Sequence, residues 1–229
     1  MSDNVKLPGK RSRTSIRERF LGMFATQLGN PRGLLGKLIG RVIFTRGNAS
    51  INRWIVQLLD IQPSDRILEV GCGPGLAIQG FAAHATQGLV AGIDASTLMV
   101  QEARKRNATA IETGRVEIQQ GDASTLPYTD ASFDTVAATH VIYFWSDVSA
   151  TLQELRRVLR PGGTVAIGFQ IKEYMPRVAQ QGFAQTGATL YPTTEDVATL
   201  LAASGFTHIR VEMQGASSGP SGFCALGQR

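Results

Sequence analysis

The sequence has little cysteine and no long apolar run, and each deficit removes a class of protein. Cys72 and Cys224 are the only two cysteines in 229 residues, and they lie far apart. They lack the paired spacing of a disulfide framework or a zinc site, so we predict no metal and a reducing, cytoplasmic environment. The N-terminus lacks the apolar core of a signal peptide, and no segment reaches the about 18 consecutive apolar residues of a membrane span. Export and membrane insertion are therefore not expected.

The net charge of +5 is unevenly distributed. Residues 1–53 contain 11 Lys and Arg against Asp3 and Glu18, net +9, which leaves 12 against 16, net −4, for the rest of the chain. The basic character therefore belongs to the N-terminal arm. Peripheral contact of this arm with an anionic membrane surface is one interpretation of that charge.

The arm divides into a tail and a helical segment. Residues 1–14 show no hydrophobic period and are predicted to be a flexible basic tail. Apolar residues at helical spacing predict a helical segment over residues 15–62, whose third helix spans about residues 49–59. We interpret this segment as a lid over the substrate, and alternatively as a helix that lies in a membrane surface and presents lipid substrates.

From residue 63 onward, short apolar runs alternate with helical patterns. Strands are predicted at residues 66–70, 89–93, 116–119, 135–139 and 164–169, and helices at 75–85, 96–107 and 148–159, the last stopped by Pro-Gly-Gly at 161–163. A helix at 195–204 and strands at 207–213 and 223–226 follow. This order predicts a doubly wound α/β fold with a mostly parallel sheet, in which residues 63–229 form one catalytic domain.

The most informative motif is a glycine-rich turn at residues 67–75, Ile-Leu-Glu-Val-Gly-Cys-Gly-Pro-Gly. An apolar strand enters this turn, and a helix begins after it. Gly71, Gly73 and Gly75 allow the backbone to pass close to a bound ligand. Dinucleotide enzymes place their third glycine one residue later, where this chain has Leu76.

Acidic residues at strand ends suggest which ligand the turn accepts. Asp94 ends the second strand, where a carboxylate can accept from both ribose hydroxyls. Asp122, followed by Ala123, comes after the third strand and can accept from an adenine amino group. Glu69, just before the first glycine, suits a cationic sulfonium with a methionine tail better than a pyrophosphate. An alternative role for Glu69 is to tie down the glycine turn.

These three segments resemble the class I S-adenosylmethionine-dependent methyltransferases. Phe133-Asp134 before the fourth strand and Pro-Gly-Gly before the fifth add to the resemblance, which covers about residues 50–228. It implies a seven-stranded sheet with a reversed last strand and S-adenosylmethionine as the cofactor. It also implies that the methionine part lies over the glycines, with Asp94 on the ribose and Asp122 on the adenine.

The end of the fourth strand supplies candidate catalytic residues. His140 is a candidate general base for a protonated acceptor, and Tyr143 a candidate hydrogen-bond donor to it. The segment 140–145, His-Val-Ile-Tyr-Phe-Trp, offers apolar surface to a flat acceptor. Packing and strand capping are the structural alternatives for both side chains.

We predict methylation of a small-molecule acceptor at oxygen, nitrogen or carbon, such as a natural product, a quinone precursor or an amine. A phospholipid N-methyltransferase is the runner-up because of the basic arm. A non-catalytic S-adenosylmethionine- or nucleotide-binding module and a nicotinamide oxidoreductase are alternatives from other classes. Nucleic acid is not an expected partner, because no amino-methylating acceptor motif or RNA-binding module is present.

Overall fold

The computed structural model describes residues 48–215 and 220–229. The predicted tail at 1–14 and most of the predicted helical segment at 15–62 lie outside these residues. In chain order the described elements are α1 (Ala49–Leu58), β1 (Arg66–Val70), α2 (Leu76–His84), β2 (Leu89–Asp94), α3 (Thr97–Arg106), α4 (Ala108–Glu112), β3 (Val116–Gln120), β4 (Phe133–Thr139), α5 (Val148–Val158), β5 (Leu159–Phe169), α6 (Arg177–Thr186), α7 (Thr194–Ala203), β6 (Thr207–Gln214) and β7 (Gly222–Gln228). Short 3₁₀ turns lie at Ile142–Phe144 and Lys172–Tyr174.

The seven described strands form one mixed sheet in the order β3-β2-β1-β4-β5-β7-β6. The five strands β3, β2, β1, β4 and β5 run parallel to one another. Strand β7 runs antiparallel to both of its neighbours, β5 and β6. The doubly wound, mostly parallel sheet with a reversed last strand is therefore confirmed.

The central strands are buried on both faces. Ile67 and Leu68 are neighbours on β1, point to opposite faces and are both fully buried. Ile67 packs in a cluster with Ile55 of α1 and Phe81 of α2. Leu68 packs in a second cluster with Leu155 of α5, on the other side of the sheet. This double burial explains why β1 is apolar after Arg66, apart from Glu69.

Helix α1 spans Ala49–Leu58, close to the predicted bounds of about residues 49–59 for the third N-terminal helix. Ile51 and Ile55 are buried, and each fits against a position where a neighbouring strand has no side chain. A Cβ at Gly168 would lie 2.5 Å from Ile55 Cδ1, and a Cβ at Gly222 would lie 2.5 Å from Ile51 Cδ1. The helix is thereby packed directly on β5 and β7. No described helix is both long and apolar enough to cross a membrane.

Strand β5 begins at Leu159, five residues before its predicted start at residue 164. Leu159 pairs with Phe133 of β4, and the pairing shifts register before Thr135. The backbone of Arg229 also bonds the Pro-Gly-Gly segment, since its C=O accepts from Gly162 at 3.1 Å and its N–H donates to Gly163 at 2.9 Å. The Pro-Gly-Gly segment therefore continues into an irregular strand. Helices α4 and α6 were not predicted.

Asp134 links three strands, and we expect its removal to destabilise the fold. Its carboxylate accepts from the Arg66 backbone N–H at 2.8 Å and from Arg160 Nη1 at 2.6 Å. Asp134→Ala should lower the free energy of unfolding by about 1–3 kcal/mol, because a backbone donor loses a charged acceptor. Asp130→Ala is the matched control, since Asp130 is exposed and, among the described residues, forms an ion pair with Arg157 alone, and it should cost less than about 1 kcal/mol. Urea unfolding measures both, and equal losses would contradict the assignment.

Candidate functional site

A crevice lies at the carboxyl edge of the sheet, where strand order reverses between β1 and β4. Two adjoining cavities form it, which we call the glycine-loop cavity, of about 610 Å³ with its mouth, and the Asp122 cavity, of about 700 Å³. They share Gly71, Asp94, Val141 and Phe144 in their walls. Open α/β sheets bind ligands at this switch point.

The glycine turn is fixed by hydrogen bonds to the end of β2. The backbone N–H groups of Gly71 and Cys72 both donate to the Ile93 carbonyl, at 2.8 and 3.0 Å. The Gly73 N–H donates to Asp94 Oδ2 at 2.8 Å. These bonds hold the turn open beside β2 and bring its backbone into the wall of the glycine-loop cavity.

Two residues at the end of α3, which were not predicted from the sequence, bind carbonyl groups of the glycine turn. Arg106 Nε donates to the Pro74 carbonyl at 2.8 Å, and Asn107 Nδ2 donates to the Gly75 carbonyl at 3.1 Å. Asn107 is buried. Asn is common at helix ends on protein surfaces, so its presence there does not by itself predict a contact with the glycine turn. Their role therefore depends on a contact between residues 32 positions apart.

Asp94 is the carboxylate that both cavities share. Oδ1 accepts from the Ser96 N–H at 2.8 Å, while Oδ2 accepts from Gly73. Burial raises the pKa of Asp94, and the bonds from Ser96 and Gly73 oppose that rise. Each carboxylate oxygen retains lone-pair capacity for a further donor.

Glu69 lies deeper in the glycine-loop cavity. It is 3% exposed, and its Oε2 has no hydrogen-bond partner in the described part of the chain. Burial raises the pKa of Glu69 well above its usual range, partly opposed by the Ile78 backbone N–H, and the nearby Asp94 adds to the rise. A cationic donor in this cavity would satisfy the orphaned oxygen and lower that pKa.

Asp122 and Ala123 line the Asp122 cavity. The side chain of Asp122 is exposed, and Oδ1 accepts from the N–H and hydroxyl of Ser124 at 2.8 and 2.7 Å. These two bonds lower the pKa of Asp122, so the group is an ionised acceptor at neutral pH. Asp122 thus lies at the opposite end of the crevice from Glu69, with Asp94 between them.

His140 lines the glycine-loop cavity directly after β4. Its φ of 58° is unusual for a non-glycine residue, and its N–H donates to the Gly168 carbonyl at 2.7 Å. Burial lowers the pKa of His140 to about 4, so the imidazole is neutral at physiological pH. Its Nδ1 lies 3.4 Å from the Tyr143 hydroxyl.

Tyr143 is not among the residues that line the two cavities, and its role as a donor to the acceptor stays a prediction. It is 2% exposed, and its hydroxyl donates to the Gln170 carbonyl at 3.1 Å and accepts from the Gln170 N–H. Burial raises its pKa. Because the single hydroxyl proton is directed to Gln170, the contact with His140 requires a proton on Nδ1, which leaves Nε2 with a free lone pair.

Comparisons with known proteins agree with this geometry. A family model described as a methyltransferase domain matches residues 68–167. The uncharacterized methyltransferase YdaC of Bacillus subtilis is 31% identical over 136 residues, covering 59% of this chain and 73% of that protein. The chain belongs to the class I S-adenosylmethionine-dependent methyltransferase family.

Other relatives share this methyltransferase core within longer proteins. The 27-O-demethylrifamycin SV methyltransferase of Amycolatopsis mediterranei is 38% identical over 111 residues, which cover 48% of this chain and 40% of that enzyme. The chain spans 32–41% of the length of several curated relatives. The CurJ carbon methyltransferase structure superposes with a TM-score of 0.70 at 19% identity, covering 89% of this chain and 60% of that one, which supports the fold.

The crevice fits the cofactor that membership of this family implies, S-adenosylmethionine. The orphaned Glu69 Oε2 matches a cationic amino group, and the walls near Gly73 leave open space, since a Cβ there would meet nothing within 4 Å. Among the described residues, no three His, Cys, Asp or Glu side chains form a group that could hold a metal ion.

Gly71 and Gly73 form a matched pair for testing how tightly this methyltransferase packs its turn. Both adopt left-handed backbone, with φ of 70° and 51°, which costs a side chain about 1–2 kcal/mol. A Cβ at Gly71 would also lie 2.3 Å from Val141 Cγ1. We expect Gly71→Ala to lower the free energy of unfolding by about 1–3 kcal/mol more than Gly73→Ala does. Urea unfolding of both variants tests this, and equal losses would contradict it.

Proposed function

We propose that this protein transfers the methyl group of S-adenosylmethionine to an uncharged small molecule whose nucleophile, foremost a hydroxyl, carries a proton. The observation that carries the proposal is the position of His140. This neutral imidazole, with a free Nε2 lone pair, lies in the wall of the same cavity as the glycine turn and Glu69. A base in that position is useful only where a proton leaves during the reaction.

The proposed orientation of the cofactor follows the order of polar groups along the crevice. Glu69 and the backbone of Gly71, Gly73 and Gly75 would bind the methionine part. Asp94, which belongs to both cavities, would accept from the ribose hydroxyls. Asp122 and Ala123 would contact the adenine at the other end.

The chemistry requires alignment more than covalent assistance. Bound S-adenosylmethionine supplies an electrophilic methyl group on a sulfonium. His140 Nε2 would accept the proton that the acceptor loses when it takes this methyl group, and S-adenosylhomocysteine would be the product. Holding the two reactants in line can supply roughly 7–11 kcal/mol of the barrier. The Nδ1 contact with Tyr143 would make the latter a positioning residue for His140.

The wall next to His140 favours an apolar acceptor. Thr139, Val141 and Phe144 are its neighbours in the glycine-loop cavity, and none is charged. Phe144 packs edge-on against Phe183 at 5.4 Å between ring centroids, which fixes its ring. The carboxylates of Glu69 and Asp94 are assigned to the cofactor, so a cationic acceptor has no further counter-charge there. The phospholipid hypothesis rests mainly on residues outside the described ranges.

Cofactor binding should depend on Asp94. We expect Asp94→Asn to weaken S-adenosylhomocysteine binding about 10- to 100-fold, because each ribose hydroxyl bond to a charged acceptor is lost or weakened. Calorimetric titration measures this, with NADH as the control ligand and Asp130→Ala as the control variant. Undiminished affinity in Asp94→Asn, or binding of NADH in place of S-adenosylhomocysteine, would reject the proposal. Cofactor binding without turnover of any acceptor would instead indicate a non-catalytic module.

His140→Gln should lower kcat about 10²- to 10⁴-fold while S-adenosylhomocysteine affinity stays unchanged. The same variant should alter the pH dependence of stability. Because the folded pKa of His140 is about 4, below the unfolded value near 6.5, protons bind the unfolded state preferentially. Wild-type stability should therefore fall relative to His140→Gln as pH drops below about 6.5, with the full loss reached below about 4. Thermal unfolding across pH measures this, and parallel pH profiles would contradict the buried neutral imidazole.

A further inference from the structure

Asn52 is a buried polar residue whose side chain the fold leaves without a role. It lies on α1, is 9% exposed, and its Oδ1 has no hydrogen-bond partner in the described part of the chain. Its neighbours Ile51 and Ile55 already anchor the helix through apolar contacts. A buried amide oxygen without a partner is costly. Since no described residue supplies a donor to it, a bound ligand is a candidate partner.

Asn52 borders two cavities, the glycine-loop cavity and a groove between α1 and α2, and among the described residues only the first contains a second orphaned buried oxygen. Asn52 lines the glycine-loop cavity together with Glu69, whose Oε2 is also orphaned. Only four buried side-chain atoms lack a partner in the described residues, and two of them belong to residues in the wall of this one cavity. The other two are the hydroxyls of Tyr128 and Tyr191, neither of which lines it.

The chemistry of the two groups together points to one kind of ligand. A carboxylate only accepts, whereas an amide both accepts and donates. A group that suits both carries several N–H donors next to an acceptor, as the α-ammonium and α-carboxylate of an amino acid do. A neutral hydroxyl acceptor would leave the buried carboxylate without a counter-charge.

We propose that Asn52 binds the amino-acid head of the cofactor's methionine part, an inference that rests on the proposed function. Its Oδ1 accepts from the α-ammonium beside Glu69, and its Nδ2 donates to the α-carboxylate. The amide pairs with the zwitterion in either of its two orientations. Helix α1, which precedes the glycine turn, thereby becomes part of the cofactor site.

The test compares two ligands that differ only at the amino-acid end. S-adenosylhomocysteine carries the head, and 5′-methylthioadenosine keeps the adenosine and the sulfur but lacks it. We expect Asn52→Ala to weaken S-adenosylhomocysteine about 10-fold or more while changing 5′-methylthioadenosine less than about 2-fold. Gln57→Ala, which truncates an exposed amide on the same helix, should leave both affinities unchanged.

Asn52→Leu separates binding from folding. Because it replaces an unpaired buried amide with an apolar side chain of similar size, the melting temperature of the ligand-free protein should stay level or rise. Affinity for S-adenosylhomocysteine should nevertheless fall as in Asn52→Ala. A drop in the ligand-free melting temperature would indicate a structural role and overturn the proposal.

Two further outcomes would also overturn it. Equal weakening of both ligands would indicate a general change in the crevice, and unchanged affinity for both would remove Asn52 from the cofactor site. Failure of the wild-type protein to bind S-adenosylhomocysteine would instead reject the proposed function. Wild-type binding that is weakened by Asp94→Asn but not by Asn52→Ala would reject this inference alone.

Discussion

The site depends first on the hydrogen bond from the Gly73 N–H to Asp94 Oδ2. This bond, with the two donors to the Ile93 carbonyl, ties the turn after β1 to the end of β2. A single bond thus fixes both the glycine backbone and the carboxylate of Asp94, which lies in the walls of both cavities. Neither the turn nor the carboxylate would be preorganised without the other, because an unpaired buried carboxylate is costly and a free glycine turn is mobile.

Burial disfavours the charged forms of three titratable groups in the crevice. Burial raises the pKa values of Glu69 and Asp94 and lowers that of His140. The three shifts have the same origin, the removal of water from groups at the sheet edge. A ligand with a positive charge would reverse the shifts of the two acids, since their ionised forms would then be paired. It would leave His140 neutral, because a nearby cation disfavours an imidazolium. The same environment therefore suits cation binding and keeps His140 as a neutral imidazole, although it makes that imidazole a weaker base than a solvent-exposed histidine.

Much of the fold was predictable because its signals are local. The apolar run of β1, the glycine turn and Asp94 at the end of β2 are neighbours in sequence, and the alternation of elements implies their meeting at one edge. The contacts made by Arg106, Asn107 and Gln170 were not predictable, since each joins residues at least 27 positions apart. The direction of the Tyr143 side chain was not predictable either, because it depends on ring contacts with Phe144, Phe183 and Tyr191 and on the backbone of Gln170.

Glu69, His140 and Asn52, the three residues proposed for binding and proton transfer, come from separate elements that differ in their tolerance to substitution. Glu69 is the penultimate residue of β1 and is buried, so a substitution there disturbs the packing of the central sheet. His140 follows β4, and its tautomer depends on a hydroxyl held by the backbone of Gln170, so side-chain changes on β5 would affect it little. Asn52 lies on a helix whose apolar contacts with β5 and β7 do not need the amide. A change at residue 52 can therefore alter ligand binding through α1 without altering the strands that position the reacting atoms.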